Sequence, residues 1–311
     1  MKDRYLWIGL FIVVCSILGN SLYFQSKQLE QPIFLNHYYE TYAQHESPLT
    51  FYYLSNISEP VEVSYVTIDG VTFQPSIHNV FTMWTNDPYI PNYEQKFTHH
   101  YLQSVTLQFP VQDIPYAGKD GIWTFNEMRV TFTNGQTIDA TIGEVKVINT
   151  LNDTDALVER RASTDNYNKS NYLSVLKPIT INSITIPFSE EVSKNVLTRI
   201  MLDPKVINNP PTSQDFPFWY KDKFDIEPNE NNVYVSNANL YPIHLERDDW
   251  IKLYTTFNPN HKSYFEFYIK LHGTTNDGET FEYNVLIGER VYLTQQDVNE
   301  IIAEKQGGHK K

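Results

Sequence analysis

Residues 128–148 read MRVTFTNGQTIDATIGEVKVI, and their spacing decides the fold class. Met128, Val130 and Phe132 alternate with Arg129, Thr131 and Thr133, and Ile138, Ala140 and Ile142 alternate with Thr137, Asp139 and Thr141. Successive side chains on a β-strand point to opposite faces, so a period of two puts the apolar set on one face and the polar set in water. Between the runs stands Asn134-Gly135, a pair that tolerates the positive φ of a tight turn. The stretch therefore predicts an antiparallel hairpin with one buried face.

The same period recurs outward from there. It appears in Val61, Val63 and Tyr65, in Val105, Leu107 and Phe109, in Ile179 and Ile181, in Ile251, Leu253 and Phe257, and in Phe265, Phe267, Ile269 and Leu271. After the turn residues Asn276-Asp277-Gly278 it continues through Phe281, Tyr283, Val285 and Ile287. Residues 267–293, FYIKLHGTTNDGETFEYNVLIGERVYL, repeat the plan of 128–148: strand, turn closing on Gly, strand, Gly-Glu, strand. Gly135 and Gly278 lie 143 positions apart and Gly143 and Gly288 lie 145 apart, which argues for two copies of one β-fold in tandem.

The compartment is read from the N-terminus. Leu6 to Phe24, LWIGLFIVVCSILGNSLYF, carries no charge. As a helix it would be about 28 Å long, close to the hydrocarbon thickness of a bilayer. Trp7 and Tyr23 stand where interfacial aromatics are enriched, and Lys2 and Arg4 favour a cytoplasmic short end. The expectation is a single-pass cell-membrane protein, partnered with the membrane through residues 6–24, with the bulk of the chain extracytoplasmic. Secretion after signal cleavage near Gly19 and Ser21 is the alternative.

Composition bounds the partners. At 311 residues with 41% hydrophobic and 14% aromatic content, the chain can fill large cores. A net charge of −13 repels phosphate backbones, so no nucleic-acid partner is expected. The single cysteine, Cys15, lies in the apolar segment, which leaves the rest without disulfides or cysteine-based chemistry.

The expected organisation is a cytoplasmic end (1–5), a transmembrane anchor or signal segment (6–24), a stalk (25–47), a β-sandwich (48–150), a linker (151–176), a second β-sandwich (177–293), and a short helix and tail (294–311). The fold class is all-β, two tandem antiparallel immunoglobulin-like sandwiches behind an N-terminal transmembrane helix. In the tail, Thr294 stands as an N-cap with Asp297 three residues on.

Motifs for chemistry are few. No nucleophile elbow or phosphate-binding glycine loop is present, so no catalytic residue is assigned and no cofactor is expected. His99-His100 are adjacent and would point to opposite faces of a strand. His244 and Glu246, followed by Asp248 and Asp249, offer an imidazole and a carboxylate on one strand face. Oxygen ligands around Asp113, Asp120 and Glu127, and in the polar run 229–232, lack the spacing of a calcium loop, and no metal is expected.

Two aromatic connections stand out instead. One holds Trp84, Tyr89 and Tyr93, continuing to Phe97 and Tyr101; the other holds Phe216, Pro217, Phe218, Trp219 and Tyr220. Aromatics on loops anchor protein partners or stack on sugars, and they also plug the ends of sandwiches. Trp84, Tyr89, Tyr93, Trp219 and Tyr220 are the candidate partner-binding residues. Two function classes follow: a non-catalytic envelope protein that binds or structures a protein or glycan partner, or a cell-surface hydrolase with an acidic or His-Glu site in a loop-lined cleft. Convergence of His244, Glu246 and another acid in a concave pocket would favour the second.

Overall fold

The computed structural model of the chain describes residues 2–45, 48–76, 93–109, 114–115, 121–150, 154–203, 205–206, 217–223, 232–235 and 240–307, and they are mostly β with several sheets and one N-terminal apolar helix. The order begins α1 (Lys2–Ser26), β1 (Ile33–Phe34), β2 (His37–Tyr42), β3 (Leu49–Asn56), β4 (Val63–Ile68), β5 (Val71–Phe73), β6 (Gln95–Lys96), β7 (His100–Leu107), β8 (Ile122–Phe132) and β9 (Thr137–Ile148). It continues β10 (Leu157–Asp165), β11 (Asn168–Val175), β12 (Ile179–Thr185), α2 (Ser189–Asn195), β13 (Val196–Leu202) and α3 (Phe218–Lys223). It ends β14 (Asn232–Tyr234), β15 (Ile243–Leu245), β16 (Trp250–Phe257), β17 (Tyr264–Thr275), β18 (Thr280–Glu289) and α4 (Gln295–Gly307).

Residues 128–148 form the expected hairpin: β8 and β9 pair antiparallel, and Gly135 closes the turn at φ 85°. Asn-Asp-Gly does the same for β17 and β18, with Gly278 at φ 86°. The two Gly-Glu steps are not alike. Gly143 has φ 96°, and a Cβ there would overlap the backbone of His37, whereas a Cβ at Gly288 would make only ordinary contacts, the nearest at 3.8 Å.

The described strands make three sheets. A four-stranded sheet has the order β1-β3-β7-β6 and a five-stranded sheet the order β10-β11-β16-β13-β14. The largest, of nine strands, runs β15-β12-β17-β2-β9-β8-β4-β5, with β18 on the other edge of β17. Strand β2 is its centre. It pairs in parallel with β9 on one side and with the start of β17 on the other, and so joins the two halves of the chain.

Side-chain alternation along that join divides the interior into two cores. Tyr39 and Tyr264 belong to one, with Phe51, Val145 and Val147; Phe265 belongs to the other, with Ile251 and Leu271, and Tyr38 packs against it. Neighbours on a strand face opposite ways, so one continuous sheet buries one face in its first half and the other face in its second. The four-stranded sheet contributes to the first core and the five-stranded sheet to the second.

Three sequence expectations are corrected here. The segment 25–47 is not a free stalk: it contains β1 and β2, with Leu29, Ile33, Phe34 and Leu35 buried. Strand β2, HYYETY, is buried on both faces and therefore shows no polar alternation. The segment 151–176 is not only a linker, because β10 and β11 pair as a hairpin and β11 pairs with β16. Strand β10 is an edge with both faces largely in water, so its sequence is polar throughout. The apolar set read as Val61, Val63 and Tyr65 breaks at a register shift between Val63 and Tyr65, which turns Tyr65 outward and buries Val66 and Ile68 instead.

The last helix returns to the first core. Leu293, Val298 and Ile301 pack there although they follow the second core in sequence. Thr294 caps it: Asp297 N donates to Thr294 Oγ1 at 3.2 Å, and Thr294 N donates to Asp297 Oδ2 at 2.8 Å.

At the centre of the join, His37 is fully buried among Tyr39, Phe51, Tyr52 and Tyr264, and its Nε2 accepts from Tyr52 N at 2.9 Å. Burial pushes its pKa down to about 3, against a smaller opposing contribution from the backbone of Ile142 and Leu35. A folded pKa below the unfolded one means that this contribution to stability is whole above about pH 6.5 and is lost as the pH falls towards 3. The His37 imidazole should therefore stay neutral in the folded protein at pH 5, read by NMR. A His37 titration near 6.5 would show that the join is open to water.

Gly143→Ala should lower the unfolding free energy by roughly 1–3 kcal/mol, since both the positive φ and the approach of His37 exclude a side chain. Gly288→Ala is the control and should change it little; equal effects would contradict this account of the join.

Candidate functional site

The N-terminal helix meets the body without slack. Residues Trp7–Ser26 form an apolar span with no part of it buried inside the protein. At its end the rings of Tyr23 and Phe24 lie edge-on to His99, with centroids 6.0 and 5.7 Å away. Lys27 Nζ lies over the Tyr23 ring, and the Lys27 carbonyl is 3.0 Å from His100 Nε2. Leu29 N donates to Asn56 Oδ1 and Asn56 Nδ2 donates to Leu29 O, both at 2.8 Å. Two residues thus separate the helix from a chain already locked to β3.

The sequence-selected aromatics fall on separate sheets. Trp84 and Tyr89 lie outside the described residues. Tyr93 is 39% exposed and stacks on Tyr101 of β7, with centroids 4.7 Å apart. Trp219 and Tyr220 belong to α3, beside the five-stranded sheet. Trp219 is partly exposed, while Tyr220 is buried with its ring against the Arg199 guanidinium. Phe218, on the same helix, is the more open aromatic at 84% exposure.

A polar concavity borders the join. A cleft of about 480 Å³ is lined by Tyr39, Tyr52, Tyr264, Glu266, Lys169, Glu289 and Arg290. Tyr52 and Tyr264 stack with centroids 4.1 Å apart and planes 11° from parallel. Lys169 and Glu289 pair at 3.0 Å. Burial raises the Glu266 pKa, and the Arg290 charge opposes that rise. A partly desolvated carboxyl beside tyrosines and a guanidinium can exchange hydrogen bonds with a polar ligand.

Further along the same edge of β17, where β12 takes the place of β2, a second polar cluster closes the seam. Glu40 is 3% exposed and its Oε2 accepts from Lys270 Nζ at 3.1 Å. Tyr42 Oη donates to Asn284 Oδ1 at 3.0 Å. Burial raises the Glu40 pKa despite Lys270, because desolvation outweighs the ion pair.

His244 and Glu246 do not converge with a third acid. His244 is exposed on the edge strand β15 and its Nδ1 is 2.9 Å from Thr180 Oγ1. Glu246 lies in the following turn, where its backbone N donates to Asp249 Oδ2. Among the described residues, no three His, Cys, Asp or Glu side chains are arranged to hold a metal ion.

Comparison with known families and with curated proteins found no match. Solved structures give distant similarities. The YadV chaperone is 10% identical, over 82% of this chain and 99% of that one, with a TM-score of 0.24. SGBP-B of a Bacteroides ovatus mixed-linkage glucan utilization locus, in complex with a mixed-linkage heptasaccharide, is 13% identical over 79% of this chain, with a TM-score of 0.19. A Corynebacterium diphtheriae protein described as membrane anchored is 8% identical over 86% of this chain, with a TM-score of 0.22. The chain spans 41% and 61% of the lengths of the latter two. At such TM-scores these likenesses carry no argument about function.

Lys270→Met should destabilise the protein by about 3–5 kcal/mol at neutral pH, because it leaves the Glu40 charge buried alone. Glu40 has a raised folded pKa, so its ionised form weighs against folding as the pH rises through that value. The loss should therefore be larger at pH 8 than at pH 5, and Glu40→Gln added to Lys270→Met should restore part of it. Denaturant midpoints that are equal at both pH values would contradict the pairing.

Proposed function

We propose that the chain is a membrane-anchored, extracytoplasmic binding or structural protein of the cell envelope, without catalytic activity. The observation that carries this reading is the uncovered apolar helix, whose end is fastened directly to the sheets. An apolar surface of that length needs lipid around it, and Lys2 and Arg4 favour retention of the short end in the cytoplasm. The body is read as two immunoglobulin-like sandwiches in tandem, with the first sandwich extended to include β2 and α4. Support comes from the two cores, each bordered by a smaller sheet and by its own half of the large one.

The binding surfaces are proposed to be the aromatic connections, where Tyr93 and Trp219 are the described candidates that reach solvent. A glycan or an envelope protein is the partner class. A surface hydrolase is the other reading considered, but the test set for it, convergence of His244 and Glu246 with another acid in a pocket, is not met among the described residues.

The full chain should remain in the membrane fraction after alkaline carbonate extraction, and protease added to intact cells or spheroplasts should degrade residues beyond about 30. Intact mass would separate an anchor from a cleaved signal, since cleavage removes the N-terminal segment. Recovery of the body in the cytosol, protected from protease, would overturn the reading.

A further inference from the structure

The outer face of the five-stranded sheet, opposite the second core, gathers cations in an otherwise acidic chain. Strand registers place Arg199 beside Tyr254, and Met201, Lys252, Tyr172 and Arg161 in a neighbouring row. Their sequence neighbours Ile200, Ile251, Leu253 and Leu173 face the core, which fixes the orientation of this row. No Asp or Glu occupies either row.

Arg199 is the unusual member. It is 7% exposed, and its guanidinium lies over the rings of Tyr220 and Tyr254, 5.3 and 5.7 Å from their centroids. Helix α3 supplies one of those rings, Tyr220. Among the described residues Arg199 has no acidic partner, and its Nε is buried without an acceptor. Two aromatic faces stabilise a cation but accept none of its in-plane hydrogen bonds. Nearby donors are also unmatched. Trp219 Nε1, on the residue next to Tyr220, is buried without an acceptor, and Lys252 Nζ lies over the Tyr254 ring at 4.5 Å rather than on a carboxylate.

A site of donors flanked by aromatic rings lacks one component, an oxygen-bearing anion. We propose that Arg199 receives a carboxylate, sulfate or phosphate group of a ligand between Tyr220 and Tyr254, with Lys252 adding charge and Trp219 Nε1 a further donor. The planar guanidinium can hold two oxygens side by side, while the rings exclude water and orient the group. Both rows of the face then have a use: Tyr172 and Trp250, stacked at 5.7 Å, extend the aromatic surface along the bound molecule. The proposal deepens the binding reading, and its test is independent of how the chain lies in a membrane.

The full chain in a maltoside detergent is titrated with sodium phosphate, sodium sulfate and sodium glucuronate, each replacing chloride at constant ionic strength. Tryptophan fluorescence and thermal midpoint are recorded. At least one probe should saturate, and the strongest identifies the anion chemistry. Arg199→Met should raise the half-saturation concentration by about 10-fold or more, as expected for loss of a charge-assisted hydrogen bond. Arg199→Lys should fall between, and Lys252→Met should raise it several-fold. No saturation by any probe, or saturation unchanged in Arg199→Met, overturns the proposal. Should Arg199→Met fail to fold, unchanged saturation in both Arg199→Lys and Lys252→Met does so. The carbonate and protease results stand or fall separately from all of these.

Discussion

Strand β2 is paired on both edges and buried on both faces, and the rest of the fold is arranged around that constraint. Its parallel pairing with β9 and β17 makes one sheet from two halves of the chain. A parallel join cannot be made by a tight turn, so the chain must supply β2 early and bring β9 and β17 to it across long connections. Because Tyr38 and Tyr39 enter different cores, a one-residue slip of β2 would exchange the two interiors and expose polar and apolar groups on the wrong sides. Gly143 answers the same constraint. It lets β9 approach His37 where any side chain would collide, and the apolar set of β9 changes parity around it, from Ile138, Ala140 and Ile142 to Val145 and Val147, while staying in the first core.

The elements legible in the sequence are those with one face in water. Strands β8, β9, β16, β17 and β18 carry alternation that the solvent boundary imposes, and Asn134-Gly135 and Asn276-Asp277-Gly278 mark turns that need positive φ. The elements missed are those at the extremes of burial. Strand β2 has no solvated face and so has no polar register; β10 has almost no buried one and so has no apolar register. Local reading also assumes an uninterrupted strand. Register shifts near Ser64 and Asn126 move the buried set from one parity to the other without leaving any compositional mark.

The candidate site was less legible for a related reason. Aromatic residues in irregular segments were visible as a class, but the sequence does not say which ring is a wall and which a surface. Tyr220 is a wall, since its ring covers Arg199, while Phe218 two residues earlier is open. Arg199 was not singled out because a lone Arg in VLTRIML looks like the polar member of a half-buried strand. What makes it notable is its surroundings: Tyr254, three strands later in sequence, faces it, and a helix brings Tyr220 over it. Likewise Glu40 and Lys270 are 230 positions apart and become a pair only at the seam.

The fastening of the helix bears on how such sites could be used. With Leu29 locked to Asn56 and His99 held against Tyr23 and Phe24, rotation of the body on a flexible tether is not available to it. If the helix stands in a bilayer, the turn between β6 and β7 that carries His99 is held at the level of the lipid headgroups, and the orientation of both halves follows from the shared sheet. The second half, tied through β2 rather than through a linker, cannot reorient on its own to meet a partner. A ligand must then reach the outer face of the five-stranded sheet where the join leaves it. The extra ordering that a flexible receptor would undergo on binding is already built into the fold, which favours a preformed site that selects by charge and shape.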